Sequence, residues 1–88
     1  MNGSLIGKEE IPALKIIPAS EDHTKELNNK LRGAMRLGNE FKSKANIIFQ
    51  TDQGVKRVET TVWAVTEHYI QLKNGVVIPV KSLIDIEY

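Results

Sequence analysis

The sequence predicts a mainly β fold: a five-stranded antiparallel small barrel over about residues 44–88, preceded by one α-helix over about residues 22–37. Three observations lead there. From Lys44 onward apolar residues recur at every second position, as in strands that turn one face to a core. Asn74-Gly75 falls between two such runs and is the dipeptide of a two-residue type I′ hairpin loop. Ahead of Lys44 the period changes, and Leu27, Leu31, Ala34 and Met35 fall at i, i+4, i+7 and i+8, one stripe of an amphipathic helix.

Residues 1–20 carry Gly3, Gly7, Pro12 and Pro18 with no helical period, and read as an extended or disordered segment outside a single domain of residues 21–88. The apolar stretch of residues 11–18 suits a sheet edge or a neighbouring subunit. Ser20 or Asp22 can cap the helix, because either side-chain oxygen accepts a bond from a free first-turn N–H. Glu21, Asp22 and Glu26 precede Lys30, Arg32 and Arg36, an order that suits the helix dipole. Gly33 weakens the helix by about 1 kcal/mol relative to alanine, and Gly38-Asn39 is its expected stop.

In the first strand Ala45, Ile47, Phe49 and Thr51 share one face, with Asn46, Ile48 and Gln50 on the other. Asp52-Gln53-Gly54 is the expected three-residue loop, with glycine supplying positive φ. The second strand, residues 55–65, alternates Val58, Thr60, Val62 and Ala64 with Glu59, Thr61, Trp63 and Val65. Both faces are apolar near its end, so it is buried on both sides or sharply bent, as closure of a small barrel requires. After a turn at Thr66-Glu67-His68, Ile70 and Leu72 point inward, and beyond Asn74-Gly75 so do Val76, Ile78 and Val80. Pro79 must sit where its missing N–H would face away from a partner strand. Residues 80–83 fit one 3₁₀ turn, and Ile84, Ile86 and Tyr88 belong to a last strand.

A domain this small buries only about 60% of its unfolded surface, and without cysteine it has neither disulfides nor thiolate metal sites. Self-association, or a helix laid over the sheet, is the expected compensation. Twelve basic and eleven acidic residues give a net charge of +1, which favours no partner. The distribution is uneven, however. Glu9, Glu10, Glu21, Asp22 and Glu26 dominate residues 9–26, whereas Lys30, Arg32, Arg36, Lys42 and Lys44 dominate residues 30–44. No signal-like or membrane-spanning apolar run occurs, so the expected protein is cytoplasmic, without membrane contact.

No catalytic constellation is legible. His23 and His68 have no nucleophile and orienting acid in a recognised spacing, and no ligand spacing suggests a metal. The expectation is a protein that is not an enzyme, without cofactor or small-molecule substrate. The candidate contact residues are Lys30, Arg32, Arg36, Lys42 and Lys44 as a basic strip, with Trp63 and Tyr69 as aromatics. Trp63 is either a platform for a base or peptide or a filler of core or interface, and Tyr69 and Tyr88 could share a patch with it.

Residues 76–86 resemble the end of a small barrel of the Src-homology-3 type, in which a strand ends at a proline step, makes one 3₁₀ turn and enters a short final strand. The order of elements over residues 22–88 resembles the Sm-like family: a helix, five strands, a long bent second strand and a tight later hairpin. Bacterial host-factor relatives place Tyr-Lys-His before the last strand and eukaryotic ones an Arg-Gly step, whereas this chain has Pro79-Val80-Lys81, so no binding residue carries over. Residues 58–64 also resemble short uncharacterised bacterial proteins. Two functions follow as expectations: a binding or assembly module acting on itself or on a protein partner through strand edges, or Sm-like RNA binding along the basic strip.

Overall fold

The computed structural model describes residues 4–21, 23–73 and 75–88. In chain order they form β1 (Ser4–Ile6), a 3₁₀ helix (Lys8–Ala13), α1 (Thr24–Phe41), β2 (Ala45–Thr51), β3 (Gly54–Thr60), β4 (Val62–Val65), β5 (Tyr69–Leu72), β6 (Val77–Pro79), a 3₁₀ turn (Val80–Ser82) and β7 (Leu83–Glu87). The fold is mainly β with one α-helix, as expected. The expected single five-stranded barrel is not what the ladders form: seven strands lie in two sheets, ordered β1-β3-β2-β7 and β4-β5-β6. Among the described residues no ladder closes them into one barrel.

Two features account for the difference. The long second strand breaks at Thr61 into β3 and β4, one piece in each sheet. The N-terminal segment adds a strand that the C-terminal half lacks, since β1 runs parallel to β3 with Leu5 opposite Arg57 and Ile6 opposite Val58. That segment is folded onto the domain. Ile11 on the 3₁₀ helix is buried in the core, Ile16 bridges to Thr51, and the Ala19 N–H donates to the Lys81 carbonyl at 2.9 Å.

The helix stripe is as the spacing requires, with Leu27, Leu31 and Ala34 buried. Its ends differ from expectation. Asp22, one expected cap, lies outside the described residues, and Ser20 is not the cap, because the helix starts after His23 with no side-chain cap bond. Gly38 is no stop either. A Cβ there would lie 2.5 Å from the Val62 carbonyl oxygen and 2.9 Å from Thr61 Cγ2, so glycine is what lets α1 rest on the start of β4. The helix runs on to Phe41 and ends where Lys42 takes a left-handed conformation, φ 53°. The Lys42 N–H then donates to the Gly38 carbonyl at 2.9 Å, the 5→1 bond of an αL helix end, and the Ser43 N–H to the Leu37 carbonyl at 3.4 Å.

One core joins the two sheets and the helix: Ile47, Phe49, Val58, Val62, Ile70, Leu72, Ile78, Leu83 and Ile86 meet Leu27, Leu31 and Ala34. Ile48, on the opposite face of β2, is also fully buried, so this strand is covered on both sides. The loops depart from expectation in length. Thr51 pairs with Gly54, leaving Asp52-Gln53 between them, and Gly54 has positive φ. Later, the Leu72 N–H donates to the Val76 carbonyl and the Gly75 N–H to the Leu72 carbonyl. Three residues, 73–75, therefore separate the paired ends, where a two-residue type I′ loop was expected. Gly75 has φ 84°, as a three-residue loop with a final left-handed residue requires. Asn74 lies outside the described residues.

Candidate functional site

The expected basic strip is not continuous. Lys30 turns to β7, where its Nζ donates to Asp85 Oδ1 at 2.9 Å. Arg36 Nε donates to Glu40 Oε1 at 3.3 Å. Arg32 lies with Asn28 and Met35 beside Val65, Thr66 and Glu67, and Lys44 lies among Leu5, Ile6, Glu9 and Glu59. Helix geometry explains the scatter, because residues two apart, such as Lys30 and Arg32, point to different sides.

Two of the sequence candidates do converge. Lys42 and Trp63 line a hollow of about 280 Å³ together with Gly38, Asn39, Thr61 and Lys73. Each wall has a local cause. The glycine at 38 brings the end of α1 against the β3–β4 junction, and the left-handed Lys42 turns the chain off the helix there. The Lys73 N–H donates to the Thr61 carbonyl at 3.0 Å, which fixes the β5–β6 turn on the same junction. The β4–β5 register shifts between Val62 and Ala64, so Trp63 occupies a bulge. Bulges re-aim side chains, and Trp63 is 49% exposed while Val62 beside it is fully buried. The hollow thus offers an aromatic ring, two ammonium groups and a carboxamide, with no carboxylate in its lining. Lys73 and Asn39 were not legible as site residues. Each is an ordinary polar residue next to a glycine-containing turn or helix end, and only the fold brings them together.

A second surface lies on the outer face of β5 and β6. Tyr69 and Val77 are 50% and 46% exposed. Tyr69 faces Pro79, and Gln71 faces Val77, so the four side chains form one outward block. Tyr69 stacks edge-on against His68 with ring centroids 6.5 Å apart, while Thr66 Oγ1 accepts the Tyr69 N–H at 3.0 Å and holds the turn. Tyr88 does not share this patch, since it lies over Gly33 on α1. His23 is elsewhere again, at the start of α1, where it contacts Glu26.

Two of the four edge strands, β6 and β7, are blunted. The Val80 N–H donates to His68 and the Leu72 N–H to Val76, so alternation leaves Val77 and Pro79 with their main chain turned away from β5. Pro79 sits where no ladder donor is needed, as its chemistry demands. At the edge of the other sheet the Ile86 N–H donates to Asp85 Oδ1 at 2.8 Å.

Among the described residues no three His, Cys, Asp or Glu side chains gather as a metal site, and no helix is long and apolar enough to cross a membrane. Comparison with protein-family models, with curated proteins and with solved structures gives no match.

Proposed function

We propose that this chain is a non-catalytic binding module that associates with a second copy of itself through the outer face of β5 and β6. What carries the reading is the apolar block of Tyr69, Val77 and Pro79, with Tyr69 and Val77 each about half exposed. Such diagonal and facing pairs on one sheet present a continuous surface. The edges at β6 and β7 suit strand pairing less well, because Pro79 removes a donor at the first and Asp85 occupies a donor at the second. A net charge of +1 sets little repulsion against self-association. A stable contact takes about 800 Å² from each copy, out of 5423 Å² of total surface, so it must extend past Tyr69 and Val77 across Gln71.

We further propose that the two sheets are halves of one small barrel of the Src-homology-3 or Sm-like kind. In support, β3 and β4 are consecutive pieces of one strand around Thr61, both sheets share a single core, and the proline step, 3₁₀ turn and final strand follow in the order that such barrels have. Light scattering and sedimentation over a concentration series test the assembly reading. The wild-type chain is expected to form a dimer or larger species, and Tyr69→Ser combined with Val77→Lys to be monomeric. A wild-type monomer at every concentration would overturn it.

A further inference from the structure

We infer that the hollow between the end of α1, the β3–β4 junction and the β5–β6 turn binds a nucleotide unit, with its base on Trp63 and its phosphate between Lys42 and Lys73. Four observations converge on this. Trp63 points outward between a buried Val62 and a half-buried Ala64, at a break in the β4–β5 register that sets its ring at the hollow rather than over the core. Lys42 ends the helix in a left-handed conformation, a position where glycine is the usual residue, and this places its ammonium at the mouth of the hollow. Neither Lys42 nor Lys73 has an acidic partner among the described residues, in contrast to Lys30 and Arg36, which do. Asn39 adds a carboxamide able both to donate to and to accept from a base edge.

The combination selects a ligand with a flat π face and a compact anionic group. A nucleobase stacks on any exposed aromatic ring irrespective of its identity, and a phosphate is matched by lysine as a point charge. An acidic peptide fits less well. It would place carboxylates on the lysines but leave the indole without a planar partner. The same chemistry could come from a free mononucleotide or from one residue of a single strand. Assembly centres on Tyr69 and Val77 and binding on Trp63, Lys42 and Lys73, so the Tyr69→Ser, Val77→Lys variant removes the first without touching the residues that line the hollow.

Trp63 is the only tryptophan, so its fluorescence reports on this hollow alone. The full chain would be titrated with AMP, with UMP, and with single-stranded oligo(A) and oligo(U) at rising salt. Each of Lys42→Gln and Lys73→Gln would be titrated in parallel, with circular dichroism to check the fold. The expected result is quenching of Trp63 that weakens by about fivefold or more in each lysine variant. For an oligonucleotide, each variant should also reduce the slope of log affinity against log salt by about 0.7. Equal affinity for mononucleotide and oligonucleotide identifies the free nucleotide as ligand, and affinity that rises with length identifies the strand. The inference is overturned if no nucleotide or oligonucleotide quenches Trp63, or if quenching is unchanged in both lysine variants. It is overturned equally if an acidic or phosphotyrosine peptide alone gives the lysine-dependent signal.

Discussion

Lys30 on α1 and Asp85 on β7 meet at 2.9 Å across fifty-five residues of sequence, and the same Asp85 oxygen accepts the Ile86 N–H at 2.8 Å. One carboxylate thus ties the helix to the last strand and occupies a donor on that strand's edge. Burial pushes the Asp85 carboxyl up. The hydrogen bond from Lys30, the bond from the Ile86 N–H and the lysine's charge outweigh burial and hold the group below the usual carboxylate range. The bond and charge of Asp85 hold the Lys30 ammonium above its ordinary value.

The sign of the pH dependence follows. Asp85 titrates lower in the folded than in the unfolded chain, so its contribution is complete above the ordinary carboxylate range, about pH 4. It is lost as pH falls through the native value. Lys30 works oppositely, losing its contribution only as pH rises through a native value above 10.5. Asp85→Asn keeps an oxygen for the Ile86 N–H but removes the charge. Urea unfolding at pH 7 should show a loss of about 0.5–1 kcal/mol, and a smaller fall in stability between pH 5 and pH 3 than in the wild-type chain. An unchanged acid limb would show that the pair contributes nothing.

Two glycines on one helix should respond oppositely to alanine. At Gly38 the added methyl would meet the main-chain oxygen of Val62 at 2.5 Å, and neither backbone can yield without parting α1 from β4. Gly38→Ala is expected to cost about 2 kcal/mol. At Gly33 the methyl meets only the side chain of Tyr88, which is exposed and free to swing aside. Gly33→Ala should therefore be neutral or stabilising by up to about 1 kcal/mol. Denaturant midpoints of the two variants compare them directly, and equal losses would contradict the stated contact.

Lys42 is where stability and binding are expected to trade. Its left-handed conformation costs a residue with a Cβ about 1 kcal/mol. Lys42→Gly should raise stability by about 0.5 kcal/mol, after the greater freedom of glycine in the unfolded chain is counted. The same variant should weaken nucleotide quenching of Trp63. A variant less stable than the wild-type chain would mean that the lysine side chain packs in a way that offsets its backbone cost.

Thr60 carries a buried hydroxyl that has no hydrogen-bond partner among the described residues. Replacing that hydroxyl with a methyl removes an uncompensated desolvation, so Thr60→Val is expected to stabilise by about 1 kcal/mol in thermal or urea unfolding. Destabilisation would point to a partner for that hydroxyl.

The strands were the most legible part of this chain, because Ile47, Phe49, Val58, Val62, Ile70, Leu72 and Ile78 alternate over a core that buries them all. Apolar residues on both faces near Trp63 pointed to burial on both sides or a sharp bend, and the strand instead breaks at Thr61 and passes from one sheet to the other. β1 was not legible, since Ser4-Leu5-Ile6 is too short to show a period and owes its form to the edge of β3. Gly38 illustrates a different limit. A glycine near a helix end serves equally to stop the helix or to admit a neighbouring backbone, and only the position of Val62 decides between them. The hollow was half legible: Lys42 and Trp63 stood out by charge and ring, while Lys73 and Asn39 gain their role from tertiary contact alone.

The assembly surface is tested most directly residue by residue, with ¹H–¹⁵N spectra of the labelled chain over a dilution series. Self-association through the outer face of β5 and β6 should move the amide signals of Tyr69, Gln71, Val77 and Ile78 together as concentration falls, and leave those of β7 and α1 in place. Signals that stay still throughout the series, or shifts centred on Ile84 to Glu87, would contradict the account.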